Sequence, residues 1–135
     1  MRILILCTGN TCRSQMTEGL LRKLHPDFDV FSAGTKPETI VNPYAVRAMA
    51  EIGIDISKQF PKDVHQFVNE PFDFVITVCD NAKEICPVFT GVVKNRLHIG
   101  FEDPADATGT DEEKMLVYRK VRDEILLRFE NLKIR

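Results

Sequence analysis

Short unbroken apolar runs alternate along this chain with stretches whose apolar residues return every three or four positions. The first run, Ile3-Leu4-Ile5-Leu6, has no polar residue on either face, as suits a strand buried on both sides of a sheet. It stops at Cys7. Gly9 and Asn10 tolerate the backbone torsions of a tight loop, and from Arg13 onward Met16, Leu20, Leu21 and Leu24 recur at helical spacing until His25-Pro26. Phe28 to Ala33 reads as a second strand closed by Gly34. A second helix follows, with Asn42 as N-cap, Pro43 in its first turn, Val46, Met49 and Ala50 as its apolar stripe, and Gly53 as its stop. A polar stretch with Pro61 leads into a short helix over Lys62 to Phe67. Phe72 to Val78 is the third strand and Leu97 to Phe101 the fourth. The last helix runs from Asp111 to Leu132. Thr110 and Glu113 form a capping box, and Val117, Val121, Ile125, Phe129 and Leu132 supply the stripe. Acidic residues 111–113 open it and Lys133 and Arg135 close it, in line with the helix dipole.

Strands alternating with helices imply right-handed crossovers and a parallel sheet. The expected fold is a single-domain, doubly wound, four-stranded parallel α/β sheet over residues 1–135 with helices on both faces. In such sheets ligands bind outside the carboxyl ends of the strands. Cys7, Cys79 and Asp103 each stand at or just past the end of a predicted strand, so three reactive groups distant in sequence are expected to meet in one crevice.

Composition narrows the function classes. The 135 residues are 44% hydrophobic and 28% charged, with a net charge of −2 and no long basic run, which argues against nucleic acid or an anionic membrane as partner. The apolar stretch before Cys7 is too short for a signal-peptide core, and no segment approaches the length of a membrane span, so a cytoplasmic setting is expected. In that setting Cys7, Cys12, Cys79 and Cys86 read as catalytic, redox or metal-binding thiols rather than structural disulfides. Zinc is disfavoured: Cys-x4-Cys is at the margin of ligand spacing, Cys-x6-Cys is outside it, and His25, His65 and His98 are scattered.

The loop after the first strand carries the chemistry. A loop that feeds a helix N-terminus directs amides inward and favours an oxyanion, and the same field lowers the pKa of a cysteine placed in it. Cys7 is therefore the candidate nucleophile. Arg13 is a planar clamp for two oxygens of a tetrahedral anion, Ser14 a hydroxyl donor, and Thr8, Gly9, Asn10, Thr11 and Cys12 the rest of the oxyanion-binding loop. Cys12 is expected to shape the loop. From burial tendency alone Cys79 reads as a core residue, whereas Cys86 stands in a polar segment stopped by Pro87. With a nucleophilic Cys7, the pair suggests thiol exchange rather than simple hydrolysis.

Cys7-Thr-Gly-Asn-Thr-Cys-Arg-Ser resembles the loop of the low-molecular-weight protein tyrosine phosphatase family. Arg13-Ser14-Gln15-Met16 followed by Thr17-Glu18-Gly19 is closer to the family's thioredoxin-coupled arsenate reductases, since its phosphatases usually carry proline where this chain has Gln15. The resemblance implies that Asp103, in its Asp-Pro pair, is the general acid in preference to Glu102 or Asp106. It also implies that Cys79 and Cys86 form the Cys-x6-Cys pair of a relay with Cys7. Arsenate or phosphate would then be the oxyanion and thioredoxin the reductant, with no organic cofactor, in a monomer. Ala105, Asp106 and Ala107 stand where the phosphatases carry aromatic residues, which favours a small inorganic substrate. Asn10, Glu18, Ser32 and Asp63 resemble positions that bind potassium in some of these reductases. Taken by themselves, Asn10 reads as loop-shaping, Ser32 as a strand end and Asp63 as solvated. Two alternatives stay open: a low-molecular-weight tyrosine phosphatase using Cys7, Arg13 and Asp103, and a non-catalytic oxyanion-binding or redox-sensing domain.

Overall fold

Four strands pair in the order β2-β1-β3-β4, and every pairing is parallel. The computed structural model describes residues 1–79 and 87–132. In chain order these residues form β1 (Arg2–Cys7), α1 (Arg13–Leu24), β2 (Asp29–Gly34), α2 (Pro43–Ala50), β3 (Phe72–Thr77), β4 (Val93–His98) and α3 (Asp111–Glu130). Cys86, and with it the relay segment, lies outside the described residues, as do Lys133 and Arg135.

β1 is central because its sequence permits nothing else. Ile3, Leu4, Ile5 and Leu6 are all fully buried, so both faces of this strand are covered, and each such side chain contributes about 1.5–3 kcal/mol of burial. Register runs from Arg2 opposite Asp29 to Cys7 opposite Gly34 on one side, and Ile3 stands opposite Phe74 on the other. Helix α1 packs on α3 and β2, and α2 packs on α3. Arg2 closes the amino end of the sheet, with its guanidinium over the rings of Phe31 and Phe72 and 2.6 Å from Glu70.

The caps follow the sequence. Asn42 accepts from the Tyr44 amide at 2.9 Å, and Thr110 and Glu113 form the reciprocal capping box of α3. Gly53 adopts φ +80°, where a side chain is strained, and ends the turn after α2. Glu51 then ties α2 to α3 through Arg119 and Arg122, each at 2.8 Å.

Several expectations need correction. The fourth strand is Val93–His98 and not 97–101. It is the sheet edge, and Lys94, Asn95 and Arg96 are exposed, so it lacks the apolar run that marks an interior strand. Residues 99–101 follow β3 only through Ile99 N–H to Thr77 O and Phe101 N–H to Val78 O. The predicted helix over Lys62–Phe67 is a 3-10 turn, Val64–Gln66, capped by Asp63. On α3 the buried stripe is Met115, Tyr118, Val121, Ile125 and Phe129, with Val117 only partly buried, because a strict four-residue repeat drifts around the helix. On α2 it is Ala45, Ala48 and Met49, while Ala50 is exposed.

Thr110→Ala removes the capping box and is expected to cost about 1 kcal/mol. Urea denaturation should show a lower midpoint with an unchanged slope. An unchanged midpoint would mean that α3 is held by packing alone.

Candidate active site

The loop between β1 and α1 is shaped from outside. Cys7, Thr8, Gly9 and Thr11 turn their carbonyls outward to accept from the amides of Thr35, Lys36, Glu38 and Asn42, at 2.9–3.1 Å. Because each peptide is planar and trans, the amide that follows each of these carbonyls points the opposite way, into the loop. The Thr8 amide donates to the Cys7 sulfur. Asn10 makes the turn at φ 56°, in the left-handed region that asparagine tolerates better than most residues. Its buried side chain accepts from the Lys62 amide at 2.9 Å and donates to Ser14 Oγ at 2.7 Å and Ser32 Oγ at 3.0 Å. Gly34 admits the loop to the end of β2, since a Cβ there would lie 2.4 Å from the Thr8 carbonyl oxygen.

A cleft of about 480 Å³ opens over this loop, lined by Cys7, Thr8, Arg13, Lys36, Glu38 and Asp103 among others. Arg13 reaches in from the first turn of α1. Its NH1 donates to the Phe101 carbonyl at 3.1 Å and its NH2 lies 3.4 Å from Asp103 Oδ2. Its Nε is buried and has no hydrogen-bond partner among the described residues. An unsatisfied buried donor on a guanidinium is costly, and an anion seated in the cleft would satisfy it. Asp103 also accepts from the Ala105 amide at 3.0 Å, which fixes its carboxylate beside the cleft.

Cys79 neighbours Cys7 and acts on its thiol, and Thr8 Oγ1 lies 3.3 Å from Cys79 Sγ. The neighbouring Cys79 thiol, together with burial, raises the Cys7 thiol above its ordinary value, while Arg13 and the Thr8 amide act to lower it. The expectation from the loop alone was a lowered pKa. The second sulfur reverses it, because a buried pair resists carrying two negative charges. Cys12 faces the back of the loop, 3.7 Å from the Tyr118 hydroxyl, and burial raises its thiol too. Its position fits a shaping role.

The sequence profile of the low molecular weight phosphotyrosine protein phosphatases matches residues 2–133. The chain belongs to that family. An arsenate reductase from Halalkalibacterium halodurans is 53% identical over 124 residues, which span 91% of this chain and 88% of the relative. A solved arsenate reductase in the phosphate binding state superposes with a TM-score of 0.80 at 31% identity, over 96% of this chain and 94% of the other. Another in the oxidised state gives 0.81 at 30% identity, over 97% and 95%.

Within this member of the phosphatase family, the fold brings Cys7, Arg13 and Asp103 to one cleft, with Cys79 buried against Thr8 and beside Cys7. Ser14 is buried beneath it as an acceptor for Asn10. Of the four potassium candidates, Asn10, Ser32 and Glu18 join one buried network. Asp63 instead caps its own 3-10 turn, with its Oδ1 2.8 Å from the His65 amide and 2.6 Å from the ring nitrogen. Gln15, noted in the sequence only as a departure from proline, donates to the carbonyls of Asn10 and Phe60 at 3.0 Å each. Lys36 and Glu38 line the mouth, and nothing in their local sequence marks them.

Cys79→Ala removes the largest influence raising the Cys7 pKa, so the midpoint of Cys7 alkylation by iodoacetamide is expected to move to lower pH. Peptide mass spectrometry separates Cys7 from Cys12. A midpoint at or above that of the parent protein would show that Cys79 does not hold the proton.

Proposed function

We propose that this chain is an arsenate reductase of the low-molecular-weight phosphatase family, working through a Cys7, Cys79 and Cys86 relay that thioredoxin resets. The observation that carries the reading is a second buried thiol, Cys79, set beside Cys7 and 3.3 Å from Thr8 Oγ1 behind an oxyanion cleft. Simple hydrolysis has no use for a second thiol there. Relatives named arsenate reductases at substantial identity support it.

Arsenate binds to the inward amides and to Arg13. The Cys7 thiolate attacks arsenic, and one oxygen leaves as water after taking a proton from Asp103. Once Cys7 is bonded to arsenic, Cys79 acts. Its thiolate attacks the Cys7 sulfur, a Cys7–Cys79 disulfide forms, and the sulfur–arsenic bond breaks with its electron pair on arsenic, releasing arsenite. Cys86 then attacks Cys79 and frees the Cys7 thiolate. Thioredoxin dithiol reduces the Cys79–Cys86 disulfide. The first step is shared with phosphate-ester hydrolysis, so a side activity on aryl phosphates is part of this reading.

Two assays test it: arsenate with thioredoxin and its reductase, and hydrolysis of an aryl phosphate. Cys79→Ser and Cys86→Ser are each expected to stop repeated arsenate turnover while leaving ester hydrolysis largely intact. Normal thioredoxin-dependent turnover by Cys86→Ser would overturn the relay, and hydrolysis without any arsenate reduction by the parent protein would identify a phosphatase. Arg13→Lys keeps the charge and loses the fork, and is expected to lower kcat/KM in both assays by about 10²- to 10³-fold. Near-normal activity would mean that the loop amides hold the anion unaided.

A further inference from the structure

Behind the oxyanion loop lies a buried circuit with a carboxylate at its base. Glu18 is 2% exposed and projects from α1. Its Oε1 accepts from the Ser32 hydroxyl at 2.6 Å, and Ser32 Oγ accepts from Asn10 Nδ2 at 3.0 Å. Asn10 Oδ1 accepts from the Lys62 amide, and the Lys62 side chain returns to Glu18, its Nζ 3.7 Å from Oε1. One residue therefore closes the ring at both ends. Its carbonyl also accepts from the Gly34 amide at 2.7 Å, next to the loop.

These groups do not fit a potassium ion. Asn10 turns its amide nitrogen, and not its oxygen, toward Ser32, and the oxygen is committed to a backbone N–H, which fixes the orientation of the amide. Ser32 spends its proton on Glu18, and Asp63 faces His65. The charge of Glu18 is met by Lys62 and, on Oε2, by Arg22 at 3.2 Å. Of the two cations Lys62 is the more enclosed, with its side chain 13% exposed against 52% for Arg22. Its ammonium donates to the Phe60 carbonyl at 2.7 Å and sits 4.8 Å from the Phe60 ring centre. Carbonyl, ring face and carboxylate together form a cation cradle that the chain fills itself.

We propose that Lys62 is a positioning residue for the oxyanion loop, its ammonium serving as the built-in counter-charge of Glu18, so that the loop holds its shape independently of monovalent cations. The inference rests on the reading of the loop as an oxyanion site and is independent of whether arsenate is reduced there. A buried carboxylate stripped of its partner either draws in another cation or distorts the network around it. In this chain such distortion passes through Ser32 to Asn10, the turn of the loop.

The test uses inorganic phosphate as the probe, with calorimetric affinity and thermal midpoint as readouts, in potassium chloride and in tetramethylammonium chloride at equal ionic strength. The parent protein is expected to give the same affinity and midpoint in both salts. Lys62→Met is expected to bind phosphate more weakly by about tenfold to a hundredfold in tetramethylammonium, with a lower midpoint, and to recover part of both losses in potassium. Should Lys62→Met fail to fold, the double variant Glu18→Gln/Lys62→Met removes the charge that needs neutralising and is expected to fold and to ignore the choice of salt. Potassium dependence in the parent protein would overturn the proposal. So would a Lys62→Met variant that matches the parent in both salts, or a double variant no more stable than the single one. Phosphate binding by the parent protein that fails in every salt would instead overturn the oxyanion site itself.

Discussion

The cleft depends on Asn10 being held where most residues do not go. A left-handed backbone costs an ordinary side chain about 1–2 kcal/mol, and asparagine bears it more easily. That turn lets the carbonyls on either side face outward to residues 35–42, so that the amides between them face the cleft. The side chain then repays the turn by bonding Ser14, Ser32 and the Lys62 amide. The loop is consequently gripped on two sides, by backbone along the 35–42 segment and by buried polar groups beneath. Neither grip requires a ligand, which is what preorganisation for an anion means in structural terms.

The second constraint is electrostatic. Burial and a neighbouring thiol oppose a Cys7 anion, while Arg13 and the Thr8 amide favour it. A lone thiolate would need only the favourable side of that balance. With Cys79 beside it, Cys7 gives up its proton less readily than the loop alone would allow, because two neighbouring buried thiols resist carrying two charges.

Local signals in the sequence were strong wherever the physics is local. The β1-loop-α1 unit, the Asn42 cap and the Thr110 box each depend on residues a few positions apart, and each appears where the pattern places it. What the sequence concealed depends on distant partners. β4 is recognised only by its place at the sheet edge, because an edge strand need not be apolar. Ser32 reads as a strand end until Glu18 is found against it, and Lys62 only as the start of a short helix until the ring through Asn10 is traced. The direction of the Cys7 shift was missed for the same reason, since the group responsible sits past the end of another strand.

Arg13 links the anion cleft to Asp103. Its NH1 is anchored on the Phe101 carbonyl, so the guanidinium plane is set before any anion arrives. NH2 leans on Asp103 at 3.4 Å, a long contact, and Nε has no partner among the described residues. The edge formed by Nε and NH2 is therefore the one open to two oxygens of a tetrahedral anion. An anion on that edge competes with Asp103 for NH2. Binding an anion thus loosens the hold of Arg13 on the Asp103 carboxylate, which stays fixed by the Ala105 amide.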